Sequence, residues 1–350
     1  MKDVEWREFK VGEVFEVSGT VTTHPRYLKR NGKTPRITCA ATNNGLDDIY
    51  DNEATEMGDV LTVDSATDGV IFYQPYNFIA TDHVEKISIK GKQKMTKGIG
   101  LFLKTNIEKA KSNKYGYGYK FSQTRIKKQI IKLPIDSQGN PNWQFMEEYI
   151  KQKEKKLAEI IVKYYRQKMD NMIGGGVQQG SLKDIEWKEF FFSDIFEDIQ
   201  RGKRLIKSNQ LEGNVPYISS TAFNNGVDNF IDNKENVRKF NNNITLANSG
   251  SVGTAFYQPY EYIASDHVTA LKLKKGNKYI YLFLASVIKK VEEKYSFNRE
   301  INDIRIKREK ILLPIDDKGE PNWAYMESYI KNIEAKQIRK ILRHLTYTYV

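Results

Sequence analysis

A single cysteine, Cys39, is all the thiol in this chain of 350 residues. That excludes a disulfide framework and any thiolate zinc cluster. Histidine is almost as scarce, with only His24, His83, His267 and His344, which leaves little room for a multi-histidine metal centre. No apolar run approaches the ~18 residues a membrane-spanning helix needs, and residues 1–15 carry no apolar signal-peptide core. A soluble, reducing, cytoplasmic setting is expected. A Walker-type phosphate loop is absent, which argues against ATP hydrolysis by this chain, and no glycine-rich cofactor loop follows a strand. What is present is aromatic and basic. Twenty-one Tyr, 17 Phe and 4 Trp rule out a disordered chain, and 56 Lys and Arg outnumber 44 Asp and Glu for a net charge of +12. The length accommodates one large domain or two to three ordinary ones.

The chain is written twice. Val4-Glu5-Trp6-Arg7-Glu8-Phe9 returns as Ile185-Glu186-Trp187-Lys188-Glu189-Phe190, and Asn43-Asn44-Gly45 as Asn224-Asn225-Gly226. Phe72–Val84 returns as Phe256–Val268 with ten of thirteen residues identical. Leu133–Lys151 returns as Leu313–Lys331 with thirteen of nineteen identical. A period of about 180 residues is too long for a solenoid and marks a tandem domain duplication.

Each copy begins with short β-rich runs such as 59–63, 69–73 and 243–247, punctuated by Asn-Gly turns, with a helical patch at 280–288. After Pro141 and Pro321 the pattern changes: Asn142 and Asn322 suit N-caps, and Glu147 and Glu327 suit first helical turns. Met146, Ile150, Leu157, Ile160, Ile161, Tyr164 and Met169 then recur at helical spacing, matched by Met326, Ile330, Ile333, Ile338, Ile341, Leu342 and Leu345. Two amphipathic helices of this kind pair most readily with each other. The expected fold is α+β: a first mixed α/β domain (1–141), a spacer helix (142–172), a flexible joint (173–181), a second domain (182–321) and a second helix (322–346). The helices would pair as an antiparallel coiled coil with pseudo-twofold symmetry. A 31-residue helix would be ~46 Å long, about 13 base pairs.

The positive charge is concentrated in corresponding places. Residues 86–132 hold fourteen Lys and Arg against one acid, and residues 268–312 hold twelve against five. Aromatics interleave with it at 114–121 and 294–299. A second basic loop lies near each start, with Arg26, Lys29, Arg30, Lys33 and Arg36, then Arg201, Lys203, Arg204 and Lys207. A solvated charged face would explain one such run; two runs in each of two copies fit phosphate neutralisation better.

Catalytic signals are weak by contrast. Gln74-Pro75-Tyr76 and Gln258-Pro259-Tyr260 lack the leading Asn or Asp and the second Pro of the amino-methyltransferase signature, and read as structural turns with buried tyrosines. Asp82-His83 and Asp266-His267 could form acid–base pairs, but no repeated nucleophile accompanies them. Glu334-Ala335-Lys336 matches half of a nuclease motif but sits on a helix. Asn248–Gly253 is a small-residue loop whose backbone could approach a ligand. The first copy reads Asp64–Gly69, with Ala66 opposite Gly250. Framework segments agree between copies while the intervening loops differ, and 24–36 bears little likeness to 201–216. Similar scaffolds carrying different loops rich in Arg, Lys, Asn, Gln and Ser suit two modules that read different DNA sequences.

In this order, twice, the motifs resemble the DNA-specificity subunits of type I restriction–modification systems and of BcgI-like type IIB systems. The resemblance spans essentially the whole chain. It is carried by Gly202-Lys203-Arg204, Gly213–Ser220, Ala247–Gly253, Ala264–Val268, Lys294–Phe297 and the Leu-Pro-Ile-Asp to Pro-Asn-Trp runs entering each long helix. The first copy lacks Gly-Lys-Arg. The resemblance implies a non-catalytic subunit that recognises a bipartite, asymmetric site in double-stranded DNA. It implies docking to methyltransferase subunits, two in number, that bring S-adenosylmethionine, and in some systems to a restriction and translocase subunit. No cofactor, metal or membrane is expected for this chain itself. Candidate DNA contacts are Lys29, Arg30, Lys33, Lys114 and Arg125 in the first domain, and Arg201, Lys203, Arg204, Lys207, Lys294 and Arg305 in the second. A stand-alone DNA methyltransferase or nuclease, and a structural DNA-binding protein without sequence preference, are the competing readings.

Overall fold

The computed structural model describes residues 4–66, 69–116, 118–173, 185–290 and 301–349. The expected joint from residue 174 onward, Lys294 and the run 294–299 lie outside the described residues. The chain divides into two compact units, Met1–Ile161 with Thr348–Val350, and Val162–Tyr347.

In the first half, β1 (Trp6–Lys10), the one-turn α1 (Val11–Val14), β2 (Phe15–Gly19), β3 (Thr34–Ile37), β4 (Leu46–Tyr50), β5 (Val60–Asp64), β6 (Ile71–Gln74), β7 (Ile79–Ala80) and β8 (Val84–Ile89) come first. They lead to α2 (Lys97–Lys111), α3 (Gln123–Lys128), β9 (Ile130–Pro134) and the long α4 (Trp143–Ile173). The second half repeats the order with one added short strand. It runs β10 (Trp187–Phe191), α5 (Phe192–Ile195), β11 (Asp198–Arg201), β12 (Glu212–Ile218), β13 (Val227–Ile231), β14 (Lys239–Phe240), β15 (Asn243–Ala247), β16 (Ala255–Gln258), β17 (Tyr262–Ala264) and β18 (Val268–Lys272). After these come α6 (Lys278–Ile288), α7 (Asp303–Arg308), β19 (Lys310–Pro314) and α8 (Trp323–Tyr349). This is the expected α+β fold.

Each half forms an antiparallel four-stranded sheet, β2-β8-β5-β6 or β11-β18-β15-β16. A second sheet, three-stranded β4-β3-β7 or four-stranded β13-β12-β17-β14, contains one parallel pairing, β3 with β7 or β12 with β17. Helices α2 and α6 pack on β6 and β16. The cores hold Phe15, Leu61, Leu103 and Met146 in one half and Phe196, Ile244, Leu284 and Met326 in the other.

The repeated segments now acquire reasons. Strand β1 pairs with β9, Trp6 opposite Pro134, and β10 pairs with β19, Trp187 opposite Pro314. The start of each domain is thereby tied to the entrance of its long helix. At that entrance Asp136 accepts the N–H groups of Gln138 and Asn140, and Asp316 those of Lys318 and Glu320. Asn142 and Asn322 then cap the helices by accepting Phe145 N–H and Tyr325 N–H at 2.9 Å. The Asn-Asn-Gly repeat is a left-handed turn, with Gly45 at φ 73° and Gly226 at φ 81° following two left-handed Asn residues.

Each long helix is clamped to its own domain by equivalent contacts. Thr96 bonds Glu147, and Lys97 reaches Glu154 at 2.8 Å. Asn277 donates to Glu327 at 2.6 Å, and Lys278 reaches Glu334 at 3.0 Å. Glu147 and Glu327 therefore serve the N-termini of α2 and α6 rather than their own first turns.

The buried stripe of α4 differs from the expected one. Ala158, Val162, Met169 and Met172 are buried, with Tyr165 packed beside the last two. Leu157, Ile160 and Tyr164 are each nearly 60% exposed. Steps of four, three, four and three residues through Ala158, Val162, Tyr165, Met169 and Met172 form a heptad seam in which small Ala158 replaces the larger neighbours. Within the second unit, Met169 and Met172 pack with Ala335 and Ile338 of α8, while Ile333 stays exposed.

Candidate nucleic-acid interface

In each half the connections β2–β3, β3–β4, β5–β6 and β7–β8, or their second-half counterparts, are laced together by backbone hydrogen bonds. Thr23 N–H donates to Ala80 O at 2.8 Å, Thr81 N–H to Ile37 O at 3.0 Å and Ser65 N–H to His83 O at 2.8 Å. The second half uses Lys203 N–H to Ala264 O at 3.0 Å, Ser265 N–H to Ile218 O at 2.9 Å and Asn248 N–H to His267 O at 2.8 Å. The lacing corresponds; the side chains it presents do not. A Cβ on Gly202 would fall 2.2 Å from Ser265 O, so only glycine lets the chain bring Lys203 and Arg204 this close to the β17–β18 turn. That accounts for the glycine of the Gly-Lys-Arg motif.

This lacing corrects the loop alignment made from sequence. Ser65 and Asn248 bond the carbonyls of His83 and His267 respectively, so Ala66 falls opposite Ser249 rather than Gly250. The second loop is one residue longer between its strands, and an insertion inside a loop leaves no mark on the flanking pattern.

Arg201 is half-buried, its Nε donating to Asp266 O at 2.5 Å, while Arg238 donates to Arg201 O at 2.6 Å. Arg238 was not singled out from sequence, because only the fold places it here. Lys203, Arg204 and Lys207 are exposed, Lys203 Nζ lying 3.2 Å from Asn236 Oδ1. Lys29, Arg30 and Lys33 are also exposed. Their loop is pinned by Asn52, which accepts Lys29 N–H at 2.9 Å and donates to Tyr27 O at 3.0 Å. Asn233 does the same for Leu211 N–H at 2.9 Å and Asn209 O at 2.8 Å. Two basic loops with little sequence likeness thus share one anchor, and the Asp-Asn repeats at 51–52 and 232–233 were the available signal.

Lys114 is exposed. Arg125 lies 3.7 Å from the Tyr119 ring and donates to Lys120 O at 2.7 Å. Tyr119 stacks on Tyr115 at 5.6 Å, so the basic–aromatic run is a built stack rather than a loose tail. Arg305 is exposed on α7. The structure therefore groups Arg201, Lys203 and Arg204, and separately Lys114 and Arg125; Lys29, Arg30 and Lys33 lie on a third element. Not every lysine of the basic segment faces outward: Lys86 Nζ lies 2.5 Å from Glu56, whose side chain is only 3% exposed.

Among the described residues the catalytic alternatives find no shared constellation. Gln74 and Gln258 are buried; each accepts from the middle Asn of its Asn-Asn-Gly turn, at 3.1 and 3.2 Å, and donates to a strand threonine. The expected burial of the motif's tyrosines does not hold: Tyr76 is 73% and Tyr260 38% exposed, because Gln alone is needed inward. His267 Nδ1 lies 2.6 Å from Ser249 Oγ, but the first half has Ala66 at that place, with no hydroxyl, and Ser65 Oγ donates to the His83 carbonyl. Burial, then the hydrogen bond to and charge of Asp64, with Asp82 adding, pushes the Cys39 thiol up to about 12, far from a reactive thiolate. Glu334 is engaged by Lys168 and Lys278. Among the described residues no group of acidic, histidine or cysteine side chains could hold a metal ion, and no helix is long and apolar enough to cross a membrane.

Comparison with known proteins gives two kinds of match. Residues 3–161 and 184–343 each fit the sequence profile described as type I restriction modification DNA specificity domain. The chain is 32% identical over 345 residues to the specificity subunit S.BcgI of a type II restriction enzyme from Heyndrickxia coagulans, covering 96% of both proteins. Its fold is similar to the crystal structure of a type I restriction–modification S subunit from M. genitalium, with a TM-score of 0.50 at 13% identity, over 99% of this chain and 94% of the other.

Proposed function

The chain belongs to the type I restriction–modification DNA specificity family and is a non-catalytic specificity subunit; from this premise we propose that its two domains each read one half of a bipartite, asymmetric DNA site. The observation that carries this reading is the duplicated loop lacing: one framework, built twice, presents different side chains on corresponding loops. Exposed Lys29, Arg30, Lys33, Lys114, Lys203, Arg204 and Lys207 would neutralise phosphates and fix register, leaving polar loop side chains to meet base edges. Arg125, Arg201 and Arg305 are assigned to the same surfaces.

Acting on DNA with methyltransferase subunits is the family's role. For this chain we assign two such partners, which bring S-adenosylmethionine, and a cytoplasmic setting; a restriction and translocase subunit is a further candidate. The Gln-Pro-Tyr segments of this chain are structural, since Gln74 and Gln258 hold turns and Tyr76 and Tyr260 face outward, and the methyl-transfer chemistry is therefore assigned to those partners. Leu157 and Ile160, exposed three residues apart on α4, form an apolar strip suited to a partner helix. Helices α4 and α8 are proposed to run antiparallel and to set the distance between half-sites.

The test is selection from random DNA by this chain assembled with its methyltransferase partner. A two-part motif with a fixed gap supports the proposal, and an unenriched pool refutes it. Adding one heptad to each helix, ~10.5 Å, should widen the gap by about three base pairs; an unchanged gap would refute the spacer role.

A further inference from the structure

Phe223 is 78% exposed, and exposure alone would carry nothing, since single apolar surface residues are common. Its setting is different. It immediately precedes the left-handed Asn224-Asn225-Gly226 turn, and Gly226 N–H donates to Phe223 O at 2.9 Å. Asn225 donates to Gln258 Oε1 at 3.2 Å, and Gln258 returns a bond to Asn225 O at 2.9 Å. The ring is therefore held out on a fixed turn. The turn is continuous with the laced loops: Ser251 N–H donates to Ser220 O at 3.1 Å, and Ser265 N–H to Ile218 O at 2.9 Å. Exposed Lys203 and Arg204 leave the same lacing through Ala264.

The duplication supplies the control. In the first half the corresponding turn, Asn43-Asn44-Gly45, is preceded by exposed Thr42 in the same extended conformation. The scaffold thus accepts a small polar residue at this position, and the phenylalanine is not required by the fold. A rigid apolar ring on the loop network that also carries exposed cations, present in one reader and absent from the other, matches the apolar feature of a major-groove edge, the thymine 5-methyl group.

Building on the proposed function, we infer that Phe223 is a specificity-determining residue that contacts a thymine methyl group in the half-site read by the second domain. The test uses this chain assembled with its methyltransferase partner on the selected DNA site, with each thymine in turn replaced by deoxyuridine. One replacement should weaken binding by the wild type about fourfold, the worth of one buried methyl, and should have no effect on F223S. F223S itself should bind the full site roughly 10- to 150-fold more weakly, the range for burying a phenylalanine side chain. Its unfolding should match wild type, as Thr42 indicates; F223T provides a second substitution that the scaffold is known to hold. Thymine replacements that have no effect on wild type, or an F223S variant that keeps wild-type affinity or the same deoxyuridine sensitivity, would overturn the inference while leaving the specificity role intact. A wild-type assembly that selects no bipartite site would overturn both.

Discussion

Replacing Lys86 with alanine removes the cation facing Glu56 inside the first domain. Glu56 Oε1 accepts Val21 N–H at 2.7 Å, its Oε2 lies 2.5 Å from Lys86 Nζ, and its side chain is 3% exposed. Losing one partner of a buried pair costs about 3–5 kcal/mol, because the remaining charge stays desolvated. Lys86 keeps 24% of its side chain exposed, so the lower end, ~3 kcal/mol, is expected. Adding Glu56→Gln removes the stranded charge while keeping an acceptor for Val21, and most of the loss should return. The second domain shows that an uncharged arrangement is sound. Bridge pairing puts Glu56 opposite Phe78 and Phe240 opposite Tyr262; the place of Glu56 is taken by Phe240 and that of Lys86 by Ala270, both in an apolar cluster. Hydrogen exchange of the β5 and β8 amides at neutral pH reads the first domain alone. K86A should speed their exchange about 100-fold or more, 1.4 kcal/mol being a factor of ten, and K86A/E56Q should restore it. A change below fivefold in K86A, or no recovery in the double variant, would refute the desolvation argument.

Asn233→Ala removes the bonds to Leu211 N–H and Asn209 O. About 1–2 kcal/mol of local stability should be lost, read as faster amide exchange in residues 205–211 with the β15 and β18 amides unchanged. Glu334 gives a pH dependence. Burial alone would raise its pKa, but hydrogen bonds from Lys168 and Lys278 hold it below the ordinary carboxylate range. Its contribution is therefore complete above the unfolded pKa of about 4.3 and is lost as pH falls through the lower folded value. Acid unfolding of the α4–α8 packing, followed by exchange at Met169 and Met172, should be steeper in wild type than in E334Q.

The duplication, the α+β class, the basic segments and the capped entrances of both long helices were legible because each is local or repeated. An N-cap acts within three residues, and thirteen identities in nineteen survive any change of partner. The Asn-Asn-Gly turns were equally readable, since only a few residue types accept positive φ. Other features depended on contacts remote in sequence. Leu157, Ile160 and Ala158, Val162 are both plausible helical faces, and only the packing chose the second. Arg201 looks like any exposed arginine until Asp266, 65 residues on, takes its Nε. Lys86 counts as surface charge until the fold sets it against Glu56, 30 residues earlier. The anchor shared by the two basic loops, and the outward ring of Phe223 where its sibling holds Thr42, likewise exist only once the strands are paired. Sequence specifies which side chains are available at each position, whereas the chain's return upon itself decides which of them are spent on the protein and which remain for DNA.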